Sequence, residues 1–172
     1  LKQLPDWVKA NMTLLISGNE LAEYADIIQK ENLNVYFVPE DWLLADKDQW
    51  MFTQEEYRFV IRIEDDLTFF VRDPETHKLS KADVSHVSDM FRECLEELLE
   101  EKYPLIGISS RGGNNFQEKD FVIGTRMHHI WFVDTDVYKK LKINLVPFKE
   151  FVMDDFHVIL SYLRNGYPNK VY

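Results

Sequence analysis

A single cysteine, Cys94, stands among 172 residues. That excludes an intrachain disulfide and any cysteine-rich zinc site, and it fits a reducing compartment. Glycine and proline are scarce, six of each, and no repeat, low-complexity tract or domain linker interrupts the chain. No apolar run approaches the ~20 residues that span a bilayer, and no secretory signal opens the sequence. Basic charge is also short: 20 Lys and Arg face 30 Asp and Glu, a formal net charge of −10. That argues against a protein coated in positive charge for gripping DNA. Several phosphate and nucleophile motifs are missing too. There is no Gly-x-x-x-x-Gly-Lys-Ser/Thr loop, no Gly-x-Gly-x-x-Gly after the first visible strand and no Gly-x-Ser-x-Gly elbow.

What remains is a chain 45% hydrophobic and 14% aromatic, enough to bury a sizeable core in one domain. The acid is unevenly spread. Residues 1–106 carry 11 basic and 23 acidic side chains, whereas residues 107–172 carry 9 and 7. Much of the excess lies between Asp83 and Glu101, which reads as the solvated face of a helix over Ala82–Lys102, with Cys94 on its apolar stripe. Met12–Ser17, a helical stripe from Leu21 to about Asn32, and Val35–Val38 form a βαβ unit, which favours a parallel sheet covered by helices. Glu40–Gln49 shows no period, and Trp50–Tyr57 reads as a short helix. Further strands are expected at Arg58–Ile63, Leu67–Val71, Pro104–Ser109 and Met127–Val133. Asp134-Thr135-Asp136 can cap a short helix, and Phe156–Arg164 forms the last one.

The strongest chemical signal is Glu64-Asp65-Asp66 at the end of an apolar strand. Three adjacent carboxylates repel one another, and strand carboxyl ends are where α/β sheets hold ligands. A hard divalent cation could bind one or two of them and leave positions for phosphate oxygens; the plainer reading is a solvated acidic turn. Asp154-Asp155 precedes the last helix, where it could cap the helix or act on a substrate hydroxyl. Ser110-Arg111-Gly112-Gly113-Asn114-Asn115 offers a guanidinium, two glycines and two amides, a set suited to hydroxyls or phosphate and equally to a surface turn. His128-His129, as neighbours in a strand, should face opposite sides, one buried and one free; a role for one of them as a metal ligand is the less favoured alternative.

Taken together, the acidic triplet, the glycine-bearing loop and the acidic pair with its closing Gly166-Tyr167-Pro168-Asn169 resemble the layout of GT-A glycosyltransferases. More closely, the layout resembles the TET-associated glycosyltransferase family of bacteriophages, implicated in adding sugars to hydroxymethylated pyrimidines in DNA. The matching segments run through Gln49-Trp50-Met51, Ile61–Phe69, Gly107–Ser109 with Arg111–Asn115, and Met153–Asn169. The resemblance implies an α/β, GT-A-like nucleotide-binding fold with a mostly parallel central sheet flanked by helices, as a single domain over 1–172. It also implies a first strand and a nucleotide-holding loop ahead of Leu1, and omitted loops, with adjacency near Asp46–Gln49 in doubt because Asp48 stands where the family shows an arginine. Glu64 stands where members tend to show aspartate.

By the same resemblance, the donor is a uridine diphosphate sugar held with Mn²⁺ or Mg²⁺. Asp66 and Asp65 would be the metal ligands, Asp65, Glu64 and Arg111 the donor-binding residues, and Asp154 and Asp155 the catalytic ones. Asn114, Asn115 and Trp131 would hold the acceptor, with Phe116 and Phe132 as further walls for a flipped base. The expected partner is DNA carrying hydroxymethylated pyrimidine, gripped locally by Arg111, Arg126, Lys139, Lys140 and Lys142, in a cytoplasm (the host's, for a viral protein) and not at a membrane. Two other readings stay open: a metal-dependent nuclease or phosphohydrolase, and a non-catalytic nucleotide-sugar-binding module.

Overall fold

In the computed structural model, which describes residues 2–110, 119–145 and 153–172, a short helix α1 (Asp6–Lys9) leads into β1 (Thr13–Ser17). A 3₁₀ turn over Gly18–Glu20 follows, closed by reciprocal bonds between Ser17 and Glu20. Helix α2 (Leu21–Glu31) ends on Asn32 in the left-handed conformation, φ 51°, a role that asparagine tolerates because its short polar side chain bonds locally. Strand β2 (Asn34–Val38) then pairs parallel with β1, from Thr13 opposite Asn34 to Ser17 opposite Val38. The βαβ unit is as the apolar spacing predicts.

Helix α3 (Leu44–Thr53) differs from expectation, starting earlier and running unbroken through Asp46–Gln49. Its inward positions are Ala45, Asp48 and Phe52, a helical spacing hidden because an aspartate occupies an apolar place. Strand β3 (Phe59–Ile63) is followed by a hairpin, β4 (Phe70–Arg72) and β5 (Leu79–Lys81). The expected strand over Leu67–Val71 thus shrinks to its end, and β5 is an addition. Asp73 makes the hairpin turn by accepting from the amides of Glu75 at 3.0 Å and Thr76 at 2.6 Å. Helix α4 (Val84–Leu99) is capped by Asp83, buries Val87, Phe91, Cys94 and Leu98, and turns Asp89, Glu93 and Glu96 to solvent. Strands β6 (Leu105–Ile108), β7 (Val122–Ile123) and β8 (Ile130–Asp134) come next, then helices α5 (Thr135–Lys140) and α6 (Asp154–Arg164) and strand β9 (Lys170–Val171).

The main sheet has five strands in the order β3-β8-β6-β9-β7, with helices on both faces. A mostly parallel sheet was the expectation, and it is corrected here. The β3–β8, β8–β6 and β7–β9 pairs are antiparallel, and β6–β9 is parallel. An apolar run marks a buried strand without encoding its direction, which is why the pattern misleads. Because β8 is antiparallel to both neighbours, β3 and β6 point the same way, and their carboxyl ends meet opposite one residue, Ile130.

All five residues of β8 are buried, and they alternate between two cores as strand geometry demands. Trp131 and Val133 join Phe52, Tyr138, Leu145 and Tyr162 on one face. Ile130 and Phe132 join Val87, Phe91, Cys94 and Leu98 on the other, where Phe91 meets Phe69 and Phe132 edge-on at 5.8 and 5.2 Å. Gly107 of β6 is required by closeness: an added Cβ would come within 2.7 Å of Met127 Cγ. Burial pushes the Cys94 thiol far above its usual range, so Cys94 is an inert packing residue. Among the described residues, no helix is long and apolar enough to cross a membrane.

Candidate active site

The carboxyl ends of β3 and β6 deliver Glu64 and Ser109 to either side of His129, which immediately precedes β8. The Glu64 amide continues the ladder by donating to the His129 carbonyl at 3.2 Å. A pocket of about 190 Å³ opens here, lined by His129, Ser109, Ser110, Thr68, Phe70 and Met90 among others.

The triplet does not act as three equivalent carboxylates. Glu64 turns back toward the protein: one oxygen accepts from Arg62 Nη1 at 2.8 Å, and the other faces Nδ1 of His129. Burial would raise its pKa, but His129 and Arg62 together hold it below the ordinary carboxylate range. Asp65 accepts from the Tyr24 hydroxyl of α2, a bond that, with burial, pushes the Tyr24 pKa up to about 12. Asp66 is exposed and has no hydrogen bond or ion pair among the described residues. The turn therefore holds one carboxylate fixed inward, one tethered and one open.

Behind Glu64 lies a buried ion pair that charge patterning alone did not single out. Arg62 is 4% exposed and Asp48 0%, and Arg62 Nε donates to Asp48 Oδ1 at 3.2 Å. Arg62 Nη1 also reaches the carbonyls of His128 and His129 at 3.4 and 3.2 Å, and the guanidinium lies 5.1 Å from the Trp131 ring. The signal was present in the sequence: an arginine inside the apolar run Phe59–Ile63 demands a buried counter-charge. Asp48 Oδ2 is buried with no hydrogen-bond partner among the described residues.

Burial raises the Asp48 pKa to about 6, against the opposing pull of Arg62 and with the Asp154 carboxylate adding to the rise. The folded state thus holds this proton more tightly than the unfolded chain does. Stability from this group is greatest below about pH 4 and is lost as the pH rises to about 6. Asp48→Asn removes the effect. Urea denaturation should show the stability difference moving in the variant's favour by roughly 3 kcal/mol between pH 4 and 6.5; a difference that stays flat would deny the buried charge.

The acidic pair divides as the triplet does. Asp154 and Asp155 form the first turn of α6, with Met153 at the cap. Asp154 Oδ1 accepts the Asp155 amide at 3.0 Å. Asp155 is buried and held by Arg126 Nε at 2.5 Å, while the Arg126 guanidinium stacks on Phe156 at 4.6 Å. Arg126 and Asp155 also act electrostatically on His128, whose pKa is lowered chiefly by burial. His128 and His129 are both half-buried with rings 5.8 Å apart, so the expected buried-and-free division does not hold. Both residues precede β8, which begins at Ile130, so strand alternation does not govern this pair.

Other expectations are placed or corrected. Trp131 is 1% exposed, stacks on Phe52 at 6.0 Å and donates its indole N–H to the His128 carbonyl. It is a core residue and offers no face to an acceptor. Phe132 is likewise buried. Lys139 and Lys140 lie beyond the other end of β8 from the triplet, a strand's length or about 15 Å away, and are engaged by Asp136 and Tyr167 respectively. They cannot form one basic patch with Arg126. Arg111, Asn114, Asn115 and Phe116 lie outside the described residues.

Among the described residues, no three His, Cys, Asp or Glu side chains converge to hold a metal by themselves. Asp66 and the second oxygen of Asp65, neighbouring carboxylates just past β3, are donors of the chemical type that a hard cation such as magnesium takes, one or two at a time, with phosphate and water completing its shell. No protein-family model matches this sequence, and neither does any curated protein or any solved structure.

Proposed function

We propose that the chain is a metal-dependent glycosyltransferase, moving a sugar from a nucleoside diphosphate donor, a uridine diphosphate sugar, to a hydroxymethylated pyrimidine in DNA. The observation that carries this reading is the unequal fate of the triplet. Neighbouring groups hold Glu64 and Asp65 in place, while Asp66 keeps an open carboxylate at the shared carboxyl end of β3 and β6. That is the disposition needed to share a cation with a diphosphate. When bound, Mn²⁺ or Mg²⁺ would neutralise charge developing on the leaving diphosphate. Asp66 and Asp65 would hold the ion, Tyr24 would fix the Asp65 carboxylate, and Arg62 would keep Glu64 from adding a third free charge. Asp154 would orient the acceptor or the sugar. Arg126 pairs with Asp155 and lies over the Phe156 ring, two contacts to the first turn of α6.

The test is mass spectrometry of hydroxymethylated DNA incubated with the protein, Mn²⁺ and a panel of UDP-sugars. A mass increase of one glycosyl unit with one member of the panel is the expected result, and its disappearance on chelation is part of it. Fragmentation of the DNA with no sugar donor present would replace this reading with a metal-dependent nuclease.

A further inference from the structure

His129 has no role in the scheme above, yet both its ring and its carbonyl are held by neighbours. Its ring is half-exposed among Ser109, Ser110 and Thr68. Its Nδ1 faces a carboxylate oxygen of Glu64. The second oxygen of Glu64 is fixed by Arg62, and Arg62 is fixed by Asp48, both buried in the core. Positive and negative groups thus alternate from the interior to the pocket, each holding the next. The carbonyl of His129 is tied as well, to the Glu64 amide and to Arg62, so Glu64 holds both the ring and the backbone and Arg62 adds a second donor to the backbone. A carboxylate at Nδ1 selects the tautomer protonated there and leaves the Nε2 lone pair to accept a proton. A base oriented by a second group, which a third group holds in turn, is the arrangement that acid–base catalysis requires. Asp154, the other candidate, commits an oxygen to the helix amide and does not line this pocket. Asp155 is committed to Arg126.

We propose that His129 is the proton acceptor of the transfer, with Glu64, Arg62 and Asp48 as positioning residues behind it. The proposal rests on the glycosyltransferase reading above. In the step, the acceptor hydroxyl proton passes to Nε2 of His129 as the hydroxyl oxygen bonds to the anomeric carbon. The bond from that carbon to the diphosphate oxygen breaks, and its electron pair leaves with the diphosphate. The imidazolium formed is balanced by Glu64. Direct displacement of this kind inverts the anomeric centre.

The experiment compares wild type, His129→Gln and His129→Gly with UDP-glucose, UDP-galactose or UDP-N-acetylglucosamine, Mn²⁺ and hydroxymethylated DNA. His129→Gln is expected to lower kcat by about 10²–10⁴-fold with KM for the donor nearly unchanged. Added imidazole is expected to restore activity to His129→Gly, which a merely structural role would not allow. ¹⁵N NMR of the wild-type ring should show the Nδ1-protonated tautomer, and Glu64→Gln should lose that preference. Equal rates in wild type and His129→Gln, a product of retained configuration, or an Nε2-protonated ring would each overturn the role of His129 and leave glycosyl transfer standing. DNA cleavage by wild type without sugar transfer would overturn both.

Discussion

Asp66→Ala is expected to lower metal-dependent sugar transfer by about a hundred- to a thousandfold, the usual cost of removing one group that stabilises developing charge. Its stability should stay within about 0.5 kcal/mol of wild type, as for surface substitutions elsewhere. The two expectations belong together. Asp66 is exposed and has no polar partner among the described residues, so its removal breaks nothing that holds the fold. A loss of activity then reports on a ligand rather than on structure. Asp65→Asn should have a smaller effect, because the Tyr24 hydroxyl can still be accepted by the amide oxygen. Activity would be measured across an Mn²⁺ titration. A raised metal requirement in the variant supports the assignment, and full activity at low Mn²⁺ would remove Asp66 from it.

Arg62→Ala should do the reverse, damaging the fold first. It strands the Asp48 carboxylate, which is 0% exposed and already has one oxygen without a partner among the described residues. Removing one member of a buried pair typically costs about 3–5 kcal/mol, because the charge left behind is uncompensated. The two carbonyls of His128 and His129 also lose a donor, and the Trp131 ring loses the cation over its face. Urea denaturation would read this as a lower midpoint with an unchanged slope. Replacing the whole pair, Arg62→Met with Asp48→Leu, should recover much of the loss, since apolar substitutes for buried pairs are often neutral. A single variant that costs under about 1 kcal/mol would show that the pair is solvated. The double variant should fold yet transfer sugar poorly, because Glu64 would have lost the anchor that sets His129.

The sequence was informative where burial and periodicity agree. The βαβ unit, the stripe of α4 with Cys94 inside it, and the acidic end of β3 all follow from apolar spacing broken by turn residues. Legibility failed where a charged residue takes an apolar place. Asp48 interrupts the inward spacing Ala45, Asp48, Phe52 and so hid α3, and its partner Arg62 looked like an ordinary member of a strand. The same pair anchors Glu64 through Arg62, so the inward turn of Glu64 was unreadable without it. Strand direction was invisible for a different reason: it depends on how the chain returns to the sheet, not on what it buries. Trp131 was misread because aromatic residues beside a candidate site serve the core as readily as a ligand.

The central place of β8 has a consequence for the order in which the molecule can be made. Its partners in β3 lie roughly 70 residues earlier in the chain, a separation that slows folding because the loop must close before any contact rewards it. During synthesis β1, α2 and β2 can pair as soon as they emerge, but among the described residues β3 has no neighbour in the main sheet until Ile130–Asp134 has been made. Until then both cores stay open, since β8 supplies a wall to each. A nascent chain halted before Ile130 should therefore expose Phe52, Phe91 and their neighbours, and a ribosome-bound series of lengths would place the onset of protease resistance after residue 134 has cleared the exit tunnel.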